Sequence, residues 1–243
     1  MYKFDEDLWK EKIKNPLWYL EVPEEMKKLI SLKSENEAEF QKSKEQIYSF
    51  FENELDLSNV YLGEVVKNFD EERKGIDTIV IHHTHGDNPM SKERLSAMEF
   101  LRLYVPYFSN PTYENDQIIR GKAIYSGHYR NEKQIFYPYN FFVNEDGSVE
   151  ELLFENEIGW HSGDWGVNCR SVAIALNGNY ENSTPSKIEL ESIAKLIKEK
   201  YPNVSKDRIL GHREVNPKTT CPSNLFLSDN THHGWKEDLL DLI

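Results

Sequence analysis

The chain of 243 residues carries 29 Lys and Arg against 42 Asp and Glu, a formal net charge of −13, with 38% hydrophobic residues and a mean hydropathy of −0.69. That balance lacks the basic footprint through which phosphate backbones bind, because counterion release needs Lys and Arg, so no nucleic-acid partner is expected. No run reaches the roughly 18 to 20 apolar residues that span a bilayer, and the acidic start Tyr2-Lys3-Phe4-Asp5-Glu6-Asp7 lacks the basic-then-apolar order of a signal peptide, so neither membrane insertion nor export by a standard signal is expected.

Glu24 to Phe51 is rich in Glu, Lys and Ser, with apolar residues at Met26, Leu29, Ile30, Phe40, Ile47 and Phe51. This predicts surface helices with one packing face, part of a helical appendage over residues 1–72. From about Gly75 the texture changes. Asp77-Thr78-Ile79-Val80-Ile81-His82-His83 predicts a buried strand that delivers polar groups at its end, followed by a turn at Gly86-Asp87-Asn88-Pro89. Ser91 to Val105, with Leu95, Met98, Leu101 and Val105 at helical spacing, predicts a helix stopped by Pro106. Gly121 to Pro138 reads as an aromatic, polar loop.

Tyr139 to Asn144 and the residues after Asp146-Gly147 predict strand, turn, strand, since Asp-Gly supplies the positive φ of a tight hairpin. Ser171 to Leu176 and Arg208 to Gly211 are two further strands. Between them, Ser186 to Tyr201 predicts a helix opened by a capping box, Ser186-x-x-Glu189. Strands alternating with helices over residues 73–243 predict an α/β fold, a mixed central sheet flanked by α-helices.

Of the eight histidines, His82 ends a strand and His212 precedes Cys221 by nine positions in Gly211-His212-Arg213-Glu214-Val215-Asn216-Pro217-Lys218-Thr219-Thr220-Cys221-Pro222. Imidazole and thiolate are donors that zinc favours, and three protein donors, not four, are the count of a catalytic zinc site. His-x8-Cys is not by itself a dedicated zinc pattern. With only two cysteines, Cys169 and Cys221, no disulfide framework is expected, and Cys169 reads as a buried core thiol.

Five motifs stand in order along the chain: Ile81-His82-His83-Thr84, Tyr137-Pro138-Tyr139-Asn140-Phe141, Gly159-Trp160-His161-Ser162-Gly163, Asn168 to Gly178, and Gly211-His212-Arg213-Glu214 through Cys221-Pro222. Their order resembles that found in zinc N-acetylmuramoyl-L-alanine amidases. The chain resembles the amidase type shared by phage lysozymes, bacterial cell-wall amidases and animal peptidoglycan recognition proteins, over roughly residues 75–230. The resemblance implies a zinc ion held by His82, His212 and Cys221, and catalysis by Tyr139 with Thr219 or Lys218. It places His161 and Asn168, and also His128, along the substrate groove. It implies hydrolysis of the amide between N-acetylmuramic acid and L-alanine of a peptidoglycan or muropeptide stem, the alternative being a non-catalytic recognition module. Location is then expected to be cytoplasmic, or at the cell wall after release without a signal peptide. The chain departs from the family pattern at Cys221-Pro222-Ser223, where glycine is usual at the last position, and in a long polar stretch from Ser109 to Tyr129 that reads as an insertion.

Overall fold

The computed structural model describes residues 2–86, 89–110, 119 and 121–243. Asp87 and Asn88 of the expected turn, and much of the stretch from Ser109 to Tyr129, lie outside them. The chain divides into two compact units, Met1–Asn68 with Ser91–Phe136, and Phe69–Met90 with Tyr137–Ile243. Residues 91–136, which the sequence groups with 73–243, thus cluster with the N-terminal segment.

Aromatic packing explains that grouping. In the first unit α1 (Glu6–Lys12) is capped by the Asp5 carboxylate, α2 (Val22–Glu35) carries a proline in its first turn, and the Asn36 side chain caps α3 (Glu37–Asp56). Leu29, Ile47 and Phe51 of the expected apolar stripe are buried, whereas Ile30 stays exposed. Trp18 packs on Phe51 and Phe100 at centroid distances of 5.4 and 5.5 Å, and Phe100 on Phe136 at 4.4 Å. These rings come from both segments and form one core, which outweighs sequence adjacency.

The helix that begins with α4 (Lys92–Glu99) does not stop at Pro106. Phe100–Tyr104 forms a π-helical turn closed by Val105 N–H on the Phe100 carbonyl, and α5 (Val105–Ser109) follows with Pro106 in its first turn. A proline is tolerated there because its missing N–H is not required by the new turn. The expected loop 121–138 contains a hairpin, His128–Arg130 paired antiparallel with Lys133–Ile135. Asn131 and Glu132 at its tip both have positive φ, 49° and 65°, the backbone of a type I′ turn built without glycine.

The second unit is an α/β fold. Among its described residues a five-stranded sheet has the order β3 (Val149–Glu151), β2 (Phe141–Val143), β4 (Ser171–Leu176), β1 (Thr78–His83), β5 (Ile209–Gly211). The pairs β2–β4, β4–β1 and β1–β5 are parallel and β2–β3 is antiparallel, so the sheet is mixed. Gly147 takes φ +81° in the β2–β3 turn, as the Asp-Gly pair requires. Every residue of β1 and β4 is buried, which is why residues 79–81 and 172–176 within them read as continuous apolar runs.

Side chains alternate across a strand, so the register assigns the two faces. Ile79 and Ile81 share a face with Val172, Ile174, Leu176, Phe141, Val143 and Ile209. This apolar face packs against α7 (Lys187–Lys200), through Leu190, Ile193 and Ile197, and α9 (Trp235–Leu242), through Trp235 and Leu239. Ser186 and Glu189 form the expected capping box of α7. The opposite face carries Thr78, Val80 and His82 beside Ser171, Ala173 and Ala175. No helix of the described residues is long and apolar enough to cross a membrane.

Candidate metal centre

His82 projects from the sheet face that α7 and α9 do not cover, and it is 1% exposed. Its Nε2 lies 3.0 Å from His161 Nδ1, and His161 Nε2 lies 3.1 Å from Ser171 Oγ. The small Ala173 and Ala175 on the same face leave room above the strands for imidazole rings. His161 is carried by the loop that leads into α6 (Trp165–Asn168). Asn168 Oδ1 ties that loop down by accepting from Ser162 N–H at 3.0 Å and from Ser162 Oγ at 2.7 Å.

His212 opens α8 (His212–Val215) directly after β5, and its Nε2 lies 3.2 Å from the Ser162 carbonyl oxygen. A side chain at the preceding Gly211 would place its Cβ 2.5 Å from the Phe226 ring, so only glycine lets the chain turn here against that wall. Arg213 N–H then donates to the Cys221 carbonyl at 2.7 Å, and Cys221 N–H donates to Thr219 Oγ1 at 3.2 Å. These bonds return the loop so that Cys221 faces β1. Its Sγ sits 3.7 Å from His82 Nδ1 and accepts from the His83 backbone N–H at 3.4 Å.

His82, His212 and Cys221, distant in sequence, thereby bring one nitrogen, one nitrogen and one sulfur within 4.8 Å of one another. The set fits zinc. Tetrahedral donors at about 2.1 Å (N) and 2.3 Å (S) lie roughly 3.6 Å apart, close to the 3.7 Å between His82 Nδ1 and Cys221 Sγ. Both imidazoles have Nε2 engaged by a protein group, which is how ligating histidines are oriented. A backbone N–H on the sulfur is likewise a contact that a metal-bound thiolate accepts.

The electrostatics keep these rings neutral. Burial holds His82 well below the ordinary imidazole range, with His161, His212 and His83 adding repulsion. Burial, then His212 and Arg73, push His161 down to about 3. Burial also lowers His212, opposed by its bond to the Ser162 carbonyl. Neutral imidazole is the form that offers a lone pair to a metal.

Tyr139 is 9% exposed, with its ring centroid 5.0 Å from that of His82. Thr219 is half-buried and Lys218 is exposed beside it. His161 and Asn168, expected along the groove, are buried, His161 bonded to His82 and Asn168 to Ser162. His128 belongs to the hairpin of the other unit, where it is buried. Two participants escaped sequence reasoning, the Ser171 hydroxyl and the Ser162 carbonyl. The one available signal was the period-two run Ser171-x-Ala173-x-Ala175, a small and polar face within an otherwise apolar strand.

A second group, His83, His85 and Glu181, also gathers ligand atoms within 4.8 Å. His83 Nδ1, however, accepts from Tyr180 N–H at 2.9 Å. The neutral ring then carries its proton on Nε2, the nitrogen that faces Glu181, and has no lone pair there for a metal.

Residues 72–224 match the family model described as N-acetylmuramoyl-L-alanine amidase. The chain is 26% identical over 84 residues to 1,6-anhydro-N-acetylmuramyl-L-alanine amidase AmpD of Haemophilus influenzae, covering 31% of this chain and 46% of that protein. It is 32% identical over 100 residues to peptidoglycan-recognition protein SC1a of Drosophila melanogaster, covering 40% and 51%. It therefore spans about half the length of the curated relatives it matches. Among solved structures it is similar to N-acetylmuramoyl-L-alanine amidase LysC from Clostridium intestinale URNW, with a TM-score of 0.44, 21% identity, and 68% and 85% of the two chains covered.

Proposed function

The chain belongs to the N-acetylmuramoyl-L-alanine amidase family, and from that premise we propose that it is a zinc hydrolase that cleaves the amide between N-acetylmuramic acid and the L-alanine of a peptidoglycan or muropeptide stem. The observation that carries this reading is the convergence of His82, His212 and Cys221. Zinc bound by such a set supplies Lewis-acid chemistry, making water a nucleophile at neutral pH and polarising the amide carbonyl.

The protein's own groups do the rest. His82 and His212 stay neutral through burial and keep their Nε2 atoms on protein partners, so neither ring has to reorganise during turnover. In this reading Tyr139, whose ring packs on His82, donates its phenolic hydrogen to the oxygen that gains charge as the carbonyl is attacked. The Thr219 hydroxyl accepts the Cys221 N–H and keeps its own proton, so it both shapes the loop and can donate to the same oxygen. Lys218, exposed next to it, is the other candidate donor. The departing L-alanine amine needs one proton, which in this reading Tyr139 supplies through water.

The test is mass spectrometry of products after the zinc-loaded chain is incubated with purified peptidoglycan and, separately, with soluble anhydro-muropeptide. Free peptides beginning with L-alanine, lost on chelation, support the amidase. The substrate that yields them distinguishes action at the cell wall from action on soluble fragments inside the cell. Zinc binding without release from either substrate would replace this reading with a non-catalytic recognition module.

A further inference from the structure

Behind His82, two side chains, His161 and Ser171, and the backbone carbonyl of Val167 form a hydrogen-bonded chain. Ser171 Oγ lies 2.7 Å from the Val167 carbonyl oxygen. A carbonyl has no hydrogen to give, so this bond uses the Ser171 hydroxyl proton. Toward its other neighbour, His161 Nε2 at 3.1 Å, Ser171 Oγ is left as an acceptor. His161 therefore carries its hydrogen on Nε2 and presents a lone pair at Nδ1. That lone pair faces His82 Nε2 at 3.0 Å, which must be the protonated nitrogen of its own ring. The remaining nitrogen, His82 Nδ1, is the one that points toward Cys221 Sγ. The reverse order of donors would leave two oxygens, Ser171 Oγ and Val167 O, 2.7 Å apart with no hydrogen between them.

We infer that Ser171 and His161 are positioning residues that hold His82 as its Nε2–H tautomer, presenting Nδ1 as a metal donor before any metal arrives. The inference rests on reading His82, His212 and Cys221 as the metal donors. His212 reaches the same state in one step, through Nε2–H on the Ser162 carbonyl. The two histidines are thus set by different devices, a side-chain relay anchored on α6 and a single backbone acceptor. The relay is the more vulnerable of the two, because loss of either member removes the constraint on His82.

The first measurement is long-range proton–nitrogen NMR of the histidine rings in the metal-free, full-length chain at neutral pH. Protonated Nε2 and unprotonated Nδ1 on His82 support the relay, and the reverse assignment overturns it. The second is zinc affinity by competition with a chromogenic chelator. Ser171→Ala and His161→Phe should weaken zinc binding about 10- to 100-fold, the usual cost of losing a group that orients a ligand. His161→Gln, which offers an amide oxygen to His82 and an N–H to Ser171, should recover affinity to within about threefold of the natural chain. A role in packing alone would not follow that pattern, since phenylalanine keeps the ring volume better than glutamine. Unchanged affinity in folded Ser171→Ala and His161→Phe proteins overturns the inference. If the natural chain binds no zinc while His82 is protonated on Nε2, the relay stands and the metal-centre reading falls.

Discussion

Asn140 follows Tyr139 and is 1% exposed, and its side chain completes the sheet at the point where β2 begins. Its Oδ1 accepts the N–H of Ala173 at 3.0 Å, in the place a strand carbonyl would take, and its Nδ2 donates to the carbonyls of Phe154 and Glu157 at 3.3 and 3.5 Å. Asn140→Leu keeps the volume and removes all three contacts. The Ala173 amide, in a fully buried strand, then loses this acceptor at a cost of about 1–3 kcal/mol. The two longer bonds end on a loop where water can replace the amide, so together they add about 1 kcal/mol. The expected destabilisation of the second unit is about 2–4 kcal/mol, which corresponds to roughly 30- to 1,000-fold faster exchange of its most protected strand amides. Native-state hydrogen exchange at Ala173 and Ile174 measures this directly, without requiring both units to unfold together. Acceleration below about fivefold, or 1 kcal/mol, would refute the assignment of Asn140 as a surrogate strand partner. Asn140→Asp keeps the acceptor but sets a carboxylate against two carbonyls, so its instability should ease as pH falls and the acid regains a donor.

Cys221→Ala should abolish zinc retention and amide hydrolysis together, read by metal content after dialysis and by product mass spectrometry, and full activity in a metal-free variant would remove Cys221 from the centre. Tyr139→Phe should keep zinc affinity and lower turnover about 100-fold, the scale of losing one oxyanion donor; unchanged kcat would remove its hydroxyl from the mechanism. Acid should destabilise the metal-free chain through its buried histidines, and His83 is a clean case, pushed by burial and by His85 to about 4. Unfolded His83 takes up a proton near pH 6.5 that the folded ring refuses until about pH 4, so its contribution is complete above 6.5 and is lost at about 1.4 kcal/mol per pH unit on the way down. His83→Gln should flatten the pH dependence of urea unfolding by about one proton in that window, and parallel curves for the two proteins would contradict the shift.

The strands and caps were legible because their causes are local. β1 and β4 are buried on both sides, so residues 79–81 and 172–176 read as unbroken apolar runs, and Ser186 with Glu189 satisfies orphan backbone groups of one helix end. Pro106 misled because the π-helical turn before it shifts the hydrogen-bond frame, something the residue types Phe100 to Tyr104 do not announce. The hairpin at 128–135 was missed because Asn131 and Glu132 adopt positive φ without the glycine that usually marks such a turn. The grouping of 91–136 with the N-terminal segment rests on ring pairs such as Trp18–Phe100, far apart along the chain. His82, His212 and Cys221 were nominated by the order of motifs, not by spacing, since only the fold brings a strand end and a distant loop together.

Ser171 shows most clearly what a linear reading lacks. A serine that opens an apolar strand looks like a boundary residue, and its significance depends on the register Thr78↔Ser171 and His82↔Ala175 between two strands nearly a hundred residues apart. A slip of one residue would turn Ser171 toward α7 and α9 and bury its hydroxyl on the apolar face that holds Ile79, Ile81 and Phe141. The large β-branched residues on the helix-covered face oppose that slip, because it would also carry them onto the face that holds His82. The packing that stabilises one side of the sheet therefore sets the hydrogen-bond order on the other. The chemistry of His82 is specified in part by residues that never approach it.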